Sequence, residues 1–490
     1  MKSSTLLALA ASLLPSSTEG LALQQQQQQQ RRDGSSPRVV GLETKRQPIA
    51  NPLSRDKLRR RGSVTASLDN EETLYFVNAT LGTPAQSFRL HLDTGSSDLW
   101  VNTPSSKLCL QKSAPCKFAG TYSANSSSTY SYIGSYFNIS YVDGSGASGD
   151  YVSDTITIGA TKLDKLQFGI GYTSSSAQGI LGIGYPINEV QVGRAGKAAY
   201  DNLPAQMVAD GLIQSKAYSL WLNDLDSNTG SILFGGVDTE QYTGSLQTVP
   251  IQSESGTFAE FLITLTKLQM GATTIADNLA LAVLLDSGSS LTYLPDALVQ
   301  DIYNAVGAQY DSEEGAAYVP CSLANNATNL TFTFSEPEIN VQMDELVLDL
   351  VTASGKRPTF QNGVAACLFG IAPAGSGTNV LGDTFIRSAY LVYDLDNNQI
   401  SLAQTRFNST ASNVLEIGTG ANAVPDATVV TNAVSATAGI AGGSAASSSG
   451  LGIAKSGAAA AVAGRGGGAH GVGGVVVMLT ALGVGMFAIL

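Results

Sequence analysis

The stretch Phe88-Arg-Leu-His-Leu-Asp93-Thr-Gly-Ser-Ser97 is echoed by Ala282-Val-Leu-Leu-Asp286-Ser-Gly-Ser-Ser290. In each copy an apolar strand delivers one Asp into a turn of Thr or Ser, Gly and Ser. A carboxylate at the end of such a strand is costly unless it is hydrogen-bonded. The turn supplies the partners: Gly95 and Gly288 permit a tight backbone, and nearby N–H and hydroxyl groups can point at the carboxylate. A single Asp-[Thr/Ser]-Gly is an ordinary surface turn. Two copies with matched apolar lead-ins, 193 positions apart, point to two acids that work together.

Carboxylates placed a few Å apart cannot both ionise readily, so they share a proton. The charged one can take a proton from a trapped water while the protonated one donates to a carbonyl oxygen. That is general acid–base hydrolysis with water as nucleophile and no covalent intermediate. The two acids titrate as a coupled pair, and activity is expected at acid pH, where the singly protonated form is populated.

Around these turns, residues 73–407 consist mostly of short alternating or apolar runs split by Gly, Asn, Asp and Ser. Tyr75–Thr80, Phe88–Leu92, Tyr151–Ile158, Phe261–Leu268 and Ala389–Leu395 read as strands. Helical patterns are few; Pro204–Asp210 and Asp296–Val306 are the clearest. The expected fold is all-β with more than one lobe.

Composition narrows the function. The chain has 490 residues, 27 Lys+Arg against 39 Asp+Glu and a net charge of -12. That length allows several domains, and the acidic balance argues against a nucleic-acid partner. The two His, His91 and His470, leave little scope for His-based metal sites, and no cofactor or metal is called for. His91 shares a strand face with Asp93, but no Gly-x-Ser-x-Gly elbow accompanies it, which argues against a Ser hydrolase.

The ends read as targeting and processing segments. Residues 1–20, with Lys2 and the apolar run Leu6–Leu14, have the layout of a secretory signal peptide. Residues 21–62 contain polyglutamine, Lys45-Arg46 and Arg59-Arg60-Arg61, and read as a pro-segment cut by a dibasic-specific convertase. The first 62 residues carry 11 basic and 4 acidic side chains, so a basic pro-segment faces an acidic body. Such a segment would mask an active cleft at neutral pH and loosen as carboxylates protonate. Residues 409–464 read as an Ala/Gly/Ser-rich stalk and 465–490 as the signal for a glycosylphosphatidylinositol (GPI) anchor, with Gly464 or Ser456 as the attachment residue. The protein is thus expected on the outer face of the cell membrane or wall. A soluble secreted form is the alternative.

The secretory route gives meaning to sequons at Asn78, Asn125, Asn138, Asn326, Asn329 and Asn408. It also favours two disulfides among the four Cys, most economically Cys109–Cys116 and Cys321–Cys367.

Taken together, these features resemble a pepsin-like aspartic protease over residues 73–404. The first Asp turn continues as Asp98-Leu99-Trp100-Val101, and Tyr141-Val-Asp-Gly-Ser145 resembles the family's flap hairpin. Gly179-Ile-Leu-Gly-Ile-Gly-Tyr-Pro186 and Val380-Leu-Gly-Asp-Thr-Phe-Ile386 resemble the paired strands that thread beneath each Asp turn. The resemblance implies a bilobal, monomeric endopeptidase with lobes at 63–250 and 251–408, and a catalytic pair Asp93 and Asp286. It implies that Thr94 and Ser287 cross-brace the lobes and that Ser96 and Ser289 bond the outer carboxylate oxygens. It makes Tyr141 the flap tyrosine held by Trp100, and Asp143, Gly144 and Ser290 contacts to an extended peptide substrate.

Three departures stand out. Asp143 replaces a flap Thr, the Gly-Ser-Gly-Ala-Ser-Gly run is one residue longer, and Ser289-Ser290 replaces a Thr pair. An acidic flap, dibasic pro-processing and an anchor signal resemble the fungal yapsin-like subgroup, whose members cleave beside Lys or Arg. Asp143 is then the expected source of that preference, although Asp-Gly also suits a hairpin tip. A catalytically inactive, wall-bound binding protein is the competing reading of the same fold.

Overall fold

The computed structural model describes residues 37–49, 72–141, 146–227, 229–350 and 357–440. The signal peptide, Arg59-Arg60-Arg61, Asp143, Gly144, Ser456, Gly464 and the apolar C-terminal tail lie outside the described residues. The chain is mostly strand with a few short helices, and its fold is the bilobal pepsin-like one.

A 14-stranded sheet runs through the N-terminal lobe and the floor between the lobes. Strands Glu72–Leu81 and Gln86–Asp93 pair antiparallel in it, with Phe76 opposite His91 and Ala79 opposite Phe88. The long strands Gly146–Ile158 and Thr161–Ser174 pair antiparallel beyond them. Smaller sheets form the second lobe. Leu262–Leu265 pairs antiparallel with Leu281–Leu285, whose five residues are all buried as a continuous Leu/Ala/Val run. Such a run marks a strand covered on both faces rather than one with a wet side.

The expected strands form, three of them longer by a few residues, whereas the expected Ala389–Leu395 ends at Asp394. The run Phe261–Leu268 is divided instead, into Leu262–Leu265 and Lys267–Met270. At the break, Thr266 bonds Thr333 through both its N–H and its hydroxyl. The helix Asp296–Val306 matches its expected span and ends in Gly307 at φ 69°, a left-handed cap. The other expected helix spans Leu203–Ala209, with Pro204 in its first turn.

Two expectations about organisation need correction, and the two halves of the chain share a sheet: Ala389–Asp394 pairs with Ala217–Trp221, and Gln399–Thr405 pairs with Tyr242–Pro250. The late strands therefore return to the first sheet. Next, the described part of the pro-segment does not lie over the cleft. Val40–Ile49 is an interior strand, paired on one side with Thr229–Phe234 and on the other with Glu72–Leu81. Lys45-Arg46 sits within that strand, Lys45 paired on both sides and Arg46 with Tyr75, so a convertase that needs a loose extended chain would find its backbone already paired.

Finally, the stalk begins later than residue 409. Residues 409–440 fold back on the body: Val414–Glu416 pairs with Gly236–Asp238, and Thr428–Val429 runs parallel to Tyr242–Pro250. Ile417, Ala423, Val424 and Val430 are buried. The small-residue composition hides this, because the apolar side chains that dock are sparse and spaced among Gly, Ala and Thr.

Both disulfides form as expected, Cys109–Cys116 and Cys321–Cys367, with Cα atoms 5.2 and 5.0 Å apart. Asn78, Asn125, Asn138, Asn326 and Asn408 are exposed and Asn329 is partly so. Among the described residues no helix is long and apolar enough to cross a membrane.

Candidate active site

Each acid is delivered by the same local arrangement. In the first lobe Gln86–Asp93 lies parallel to Gly179–Gly182, with Asp93 opposite Gly182. In the second, Leu281–Leu285 lies parallel to Val380–Leu381, with Leu285 opposite Leu381. The glycines at the ends of these partner strands, Gly182 as a last residue and Gly382 just beyond, have a steric reason. A Cβ on Gly182 would lie 2.6 Å from Asp98 N and 2.7 Å from Ser97 N. One on Gly382 would lie 2.3 Å from Ser289 O. Only a bare backbone fits against the Asp turns, so the paired apolar-apolar-Gly segments lie beneath both turns as expected.

The two acids are equivalently held. Asp93 Oδ1 accepts from Gly95 N at 2.9 Å and Oδ2 from the Ser96 hydroxyl at 2.6 Å. Asp286 Oδ1 accepts from Gly288 N at 2.7 Å and Oδ2 from the Ser289 hydroxyl at 2.6 Å. Neither acid has exposed surface. A Cβ at position 288 would lie 2.4 Å from Asp93 Oδ1 and 2.8 Å from Asp286 Oδ1, so the inner oxygens of both carboxylates converge on one point.

Thr94 and Ser287 lock the turns to each other. Thr94 Oγ1 donates to Leu285 O at 2.9 Å and accepts from Ser287 N at 2.9 Å. Ser287 Oγ donates to Leu92 O at 3.0 Å and accepts from Thr94 N at 3.2 Å. Each turn thus holds the strand end of the other lobe. Four buried hydrogen bonds resist relative sliding, and orientation to a fraction of an Å is what proton transfer requires.

Tyr141 stands at the end of strand Ser131–Ser140, which pairs with Gly146–Ile158 as a hairpin with Ser140 opposite Gly146. Trp100 Nε1 donates to the Tyr141 hydroxyl at 2.7 Å. Ser290 is buried next to the second turn, and its carbonyl accepts from Thr384 N. His91 is buried and its ring meets Phe76 at 5.8 Å between centroids, as a packed strand residue would.

Behind the first turn lies a buried acidic cluster that the sequence did not reveal. Asp98 accepts from the Tyr151 hydroxyl at 2.6 Å, the Tyr200 hydroxyl at 3.0 Å and Val190 N at 2.8 Å. Burial pushes its carboxyl above the usual range. Glu189 is 1% exposed and its Oε2 accepts from Tyr200 N, while Oε1 has no hydrogen-bond partner among the described residues. Burial, reinforced by Asp98 and Asp201, pushes Glu189 up to about 10, so it stays protonated at acid pH. Its signal in the sequence, an acid after Tyr185-Pro-Ile-Asn, reads as a loop residue until the packing is known.

Comparison with known proteins agrees with this geometry. The family model described as eukaryotic aspartyl protease matches residues 74–405. The chain is 59% identical over 418 residues to the probable aspartic-type endopeptidase opsB of Aspergillus oryzae, covering 84% of each. It is 40% identical over 364 residues to secreted aspartic protease 1 of Candida albicans, covering 72% of this chain and 87% of that one. The fold matches an aspartic proteinase from Irpex lacteus with a TM-score of 0.57 at 23% identity, over 76% of this chain and 100% of that one. By its matched turns, its flap hairpin and these relatives, the chain belongs to the eukaryotic aspartyl protease family.

Proposed function

We propose that this chain is a cell-surface aspartic endopeptidase that hydrolyses peptide bonds at acid pH, with a preference for sites beside Lys or Arg. The observation that carries the chemistry is the convergence of the inner oxygens of Asp93 and Asp286 on one point, each acid held by an equivalent turn. One ionised acid takes a proton from a water, whose oxygen bonds to the scissile carbonyl carbon. The protonated acid gives its proton to the carbonyl oxygen. The resulting diol collapses as the C–N bond breaks: the amine leaves with the proton taken from water, while a diol hydroxyl gives its proton to the other acid and so restores the pair. Serine hydroxyls on the outer oxygens, from Ser96 and Ser289, keep the pair in register.

The peptide lies extended across the cleft under the hairpin that ends at Tyr141, bonded through its backbone, with side chains entering pockets. An acidic wall favours basic side chains, Asp143 being one contributor. The protein is made as a zymogen, matures by convertase cleavage at Arg59-Arg60-Arg61, works as a monomer and is tethered through a GPI lipid at Gly464 or Ser456.

Two experiments test this reading. Cleavage of a peptide library by the purified secreted form should be confined to acid pH and enriched beside Lys and Arg; a purely bulky apolar profile would remove the specificity. Treatment of intact cells with a phosphatidylinositol-specific phospholipase should release the enzyme, whereas a soluble form would be in the medium already.

A further inference from the structure

Leu262 faces Leu284 and Leu265 faces Leu281 across the ladder that ends in Asp286. Leu285 N also donates to Phe261 O, so the pairing continues beyond the assigned strand. Glu260, the next residue, lies at a bend just beyond this pairing, within electrostatic reach of Asp286, so it flanks one member of the acid pair.

Its carboxyl is held in an unusual way. Glu260 is 6% exposed, and its Oε2 is buried with no hydrogen-bond partner among the described residues. The charged groups that act on it are Glu254, from the preceding loop, and Asp286. Both are acids. Burial first, then Glu254 and Asp286, push Glu260 up to about 8, so in the free enzyme at acid pH it is neutral. A buried carboxyl with an unused oxygen costs stability. The fold does not spend that oxygen on its own backbone or hydroxyls, unlike Asp93, Asp98 and Asp286, whose oxygens accept from neighbouring N–H and hydroxyl groups.

We propose that Glu260 is a specificity-determining residue that receives a cationic side chain, Lys or Arg, of the substrate residue flanking the scissile bond on the Asp286 side. This rests on the reading of the chain as an acid-pair endopeptidase and deepens its preference for basic sites. It transfers the main selective role from Asp143, a hairpin residue, to a buried residue just beyond a strand end. An arriving ammonium or guanidinium supplies the missing donor, and Glu260 gives its proton to solvent to form a charge-assisted pair in a dry site. An uncharged side chain leaves the carboxyl neutral and unpaired. Selectivity for the cation therefore grows as pH rises towards the range in which Glu260 ionises by itself.

The test uses the secreted enzyme and two peptides that differ only at the flanking residue, Lys in one and Met in the other. The readout is the ratio of their kcat/KM values, in which the titration of the acid pair cancels. For the unaltered enzyme the ratio should exceed one and increase with pH across the active range. Glu260→Gln should lower it by about tenfold or more and remove its pH dependence, while Asp143→Asn should change it little. A ratio unchanged in Glu260→Gln, or a loss shared equally by both peptides, overturns the assignment. If Asp143→Asn abolishes the ratio and Glu260→Gln does not, basic preference stands and Glu260 is not its source. A ratio near one at every pH in the unaltered enzyme ends the preference and the assignment together, and leaves the hydrolytic reading intact. Should Glu260→Gln fold poorly, the pH dependence of the unaltered enzyme and of Glu260→Asp decides alone: a flat ratio contradicts the proposal.

Discussion

At the level of single residues, the site depends on short hydroxyl–carboxylate bonds. Ser96 and Ser289 each donate to an outer oxygen at 2.6 Å in a buried setting. Removing such a donor leaves a charged acceptor under-bonded, at a cost of about 1–3 kcal/mol. Ser289→Ala should therefore lower kcat/KM by about tenfold or more. Steady-state kinetics at the pH of greatest activity check this; an unchanged kcat/KM would show that the hydroxyl does not hold the pair. The sequence offered these roles through the resemblance of each Asp turn to the aspartic-protease motif. Glu260 and Glu189 were not legible, because neither sits in a motif. Glu260 becomes visible only through its burial beside Asp286, and Glu189 only through the burial of the loop behind Asp98.

Elements carry the pH response of the fold. The loop that brings Glu189 against Asp98, Tyr151 and Tyr200 buries a carboxyl whose ordinary value is 4.5 and raises it to about 10. The native state then holds a proton that the unfolded chain releases above 4.5. Its stabilising contribution is complete below that value and is lost as pH rises towards 10. Thermal unfolding followed across this range should show a falling midpoint, and Glu189→Gln, which cannot ionise, should flatten the decline. A parallel decline in the variant would place the sensitivity elsewhere. The partner strands add a steric prediction. Gly182→Ala pushes a methyl into the backbone of Ser97 and Asp98, and overpacking of that kind costs about 1–3 kcal/mol. Chemical denaturation would register it as a lower midpoint, whereas an unchanged midpoint would mean that the turn can shift.

On the scale of the whole molecule, strand content and the bilobal fold followed from short apolar runs and the repeated Asp turn. The connections between distant parts did not. Hydrophobic periodicity identifies Ala389–Asp394 as a strand but says nothing of its pairing with Ala217–Trp221. Low-complexity composition likewise concealed the segment 409–440, which docks through a few buried residues such as Ile417 and Val424. Deleting 409–440 from the secreted chain should lower its unfolding temperature, since two strand pairings and those side chains are lost; an unchanged temperature would restore the stalk reading. The strand Val40–Ile49 fills an interior position in the sheet, so the maturation proposed at Arg59-Arg60-Arg61 requires repacking of that position if the strand leaves.

The most direct measurement is the acid proteolysis of Asp93→Asn and Asp286→Asn, each compared with the unaltered enzyme and each confirmed to be folded by its unfolding transition. General acid–base groups contribute about 10²–10⁴-fold, and the shared proton makes each acid indispensable to the other. Both substitutions should therefore abolish cleavage to at least that extent at every pH. Cleavage within about tenfold of the unaltered rate by either variant would contradict a mechanism built on the two carboxylates.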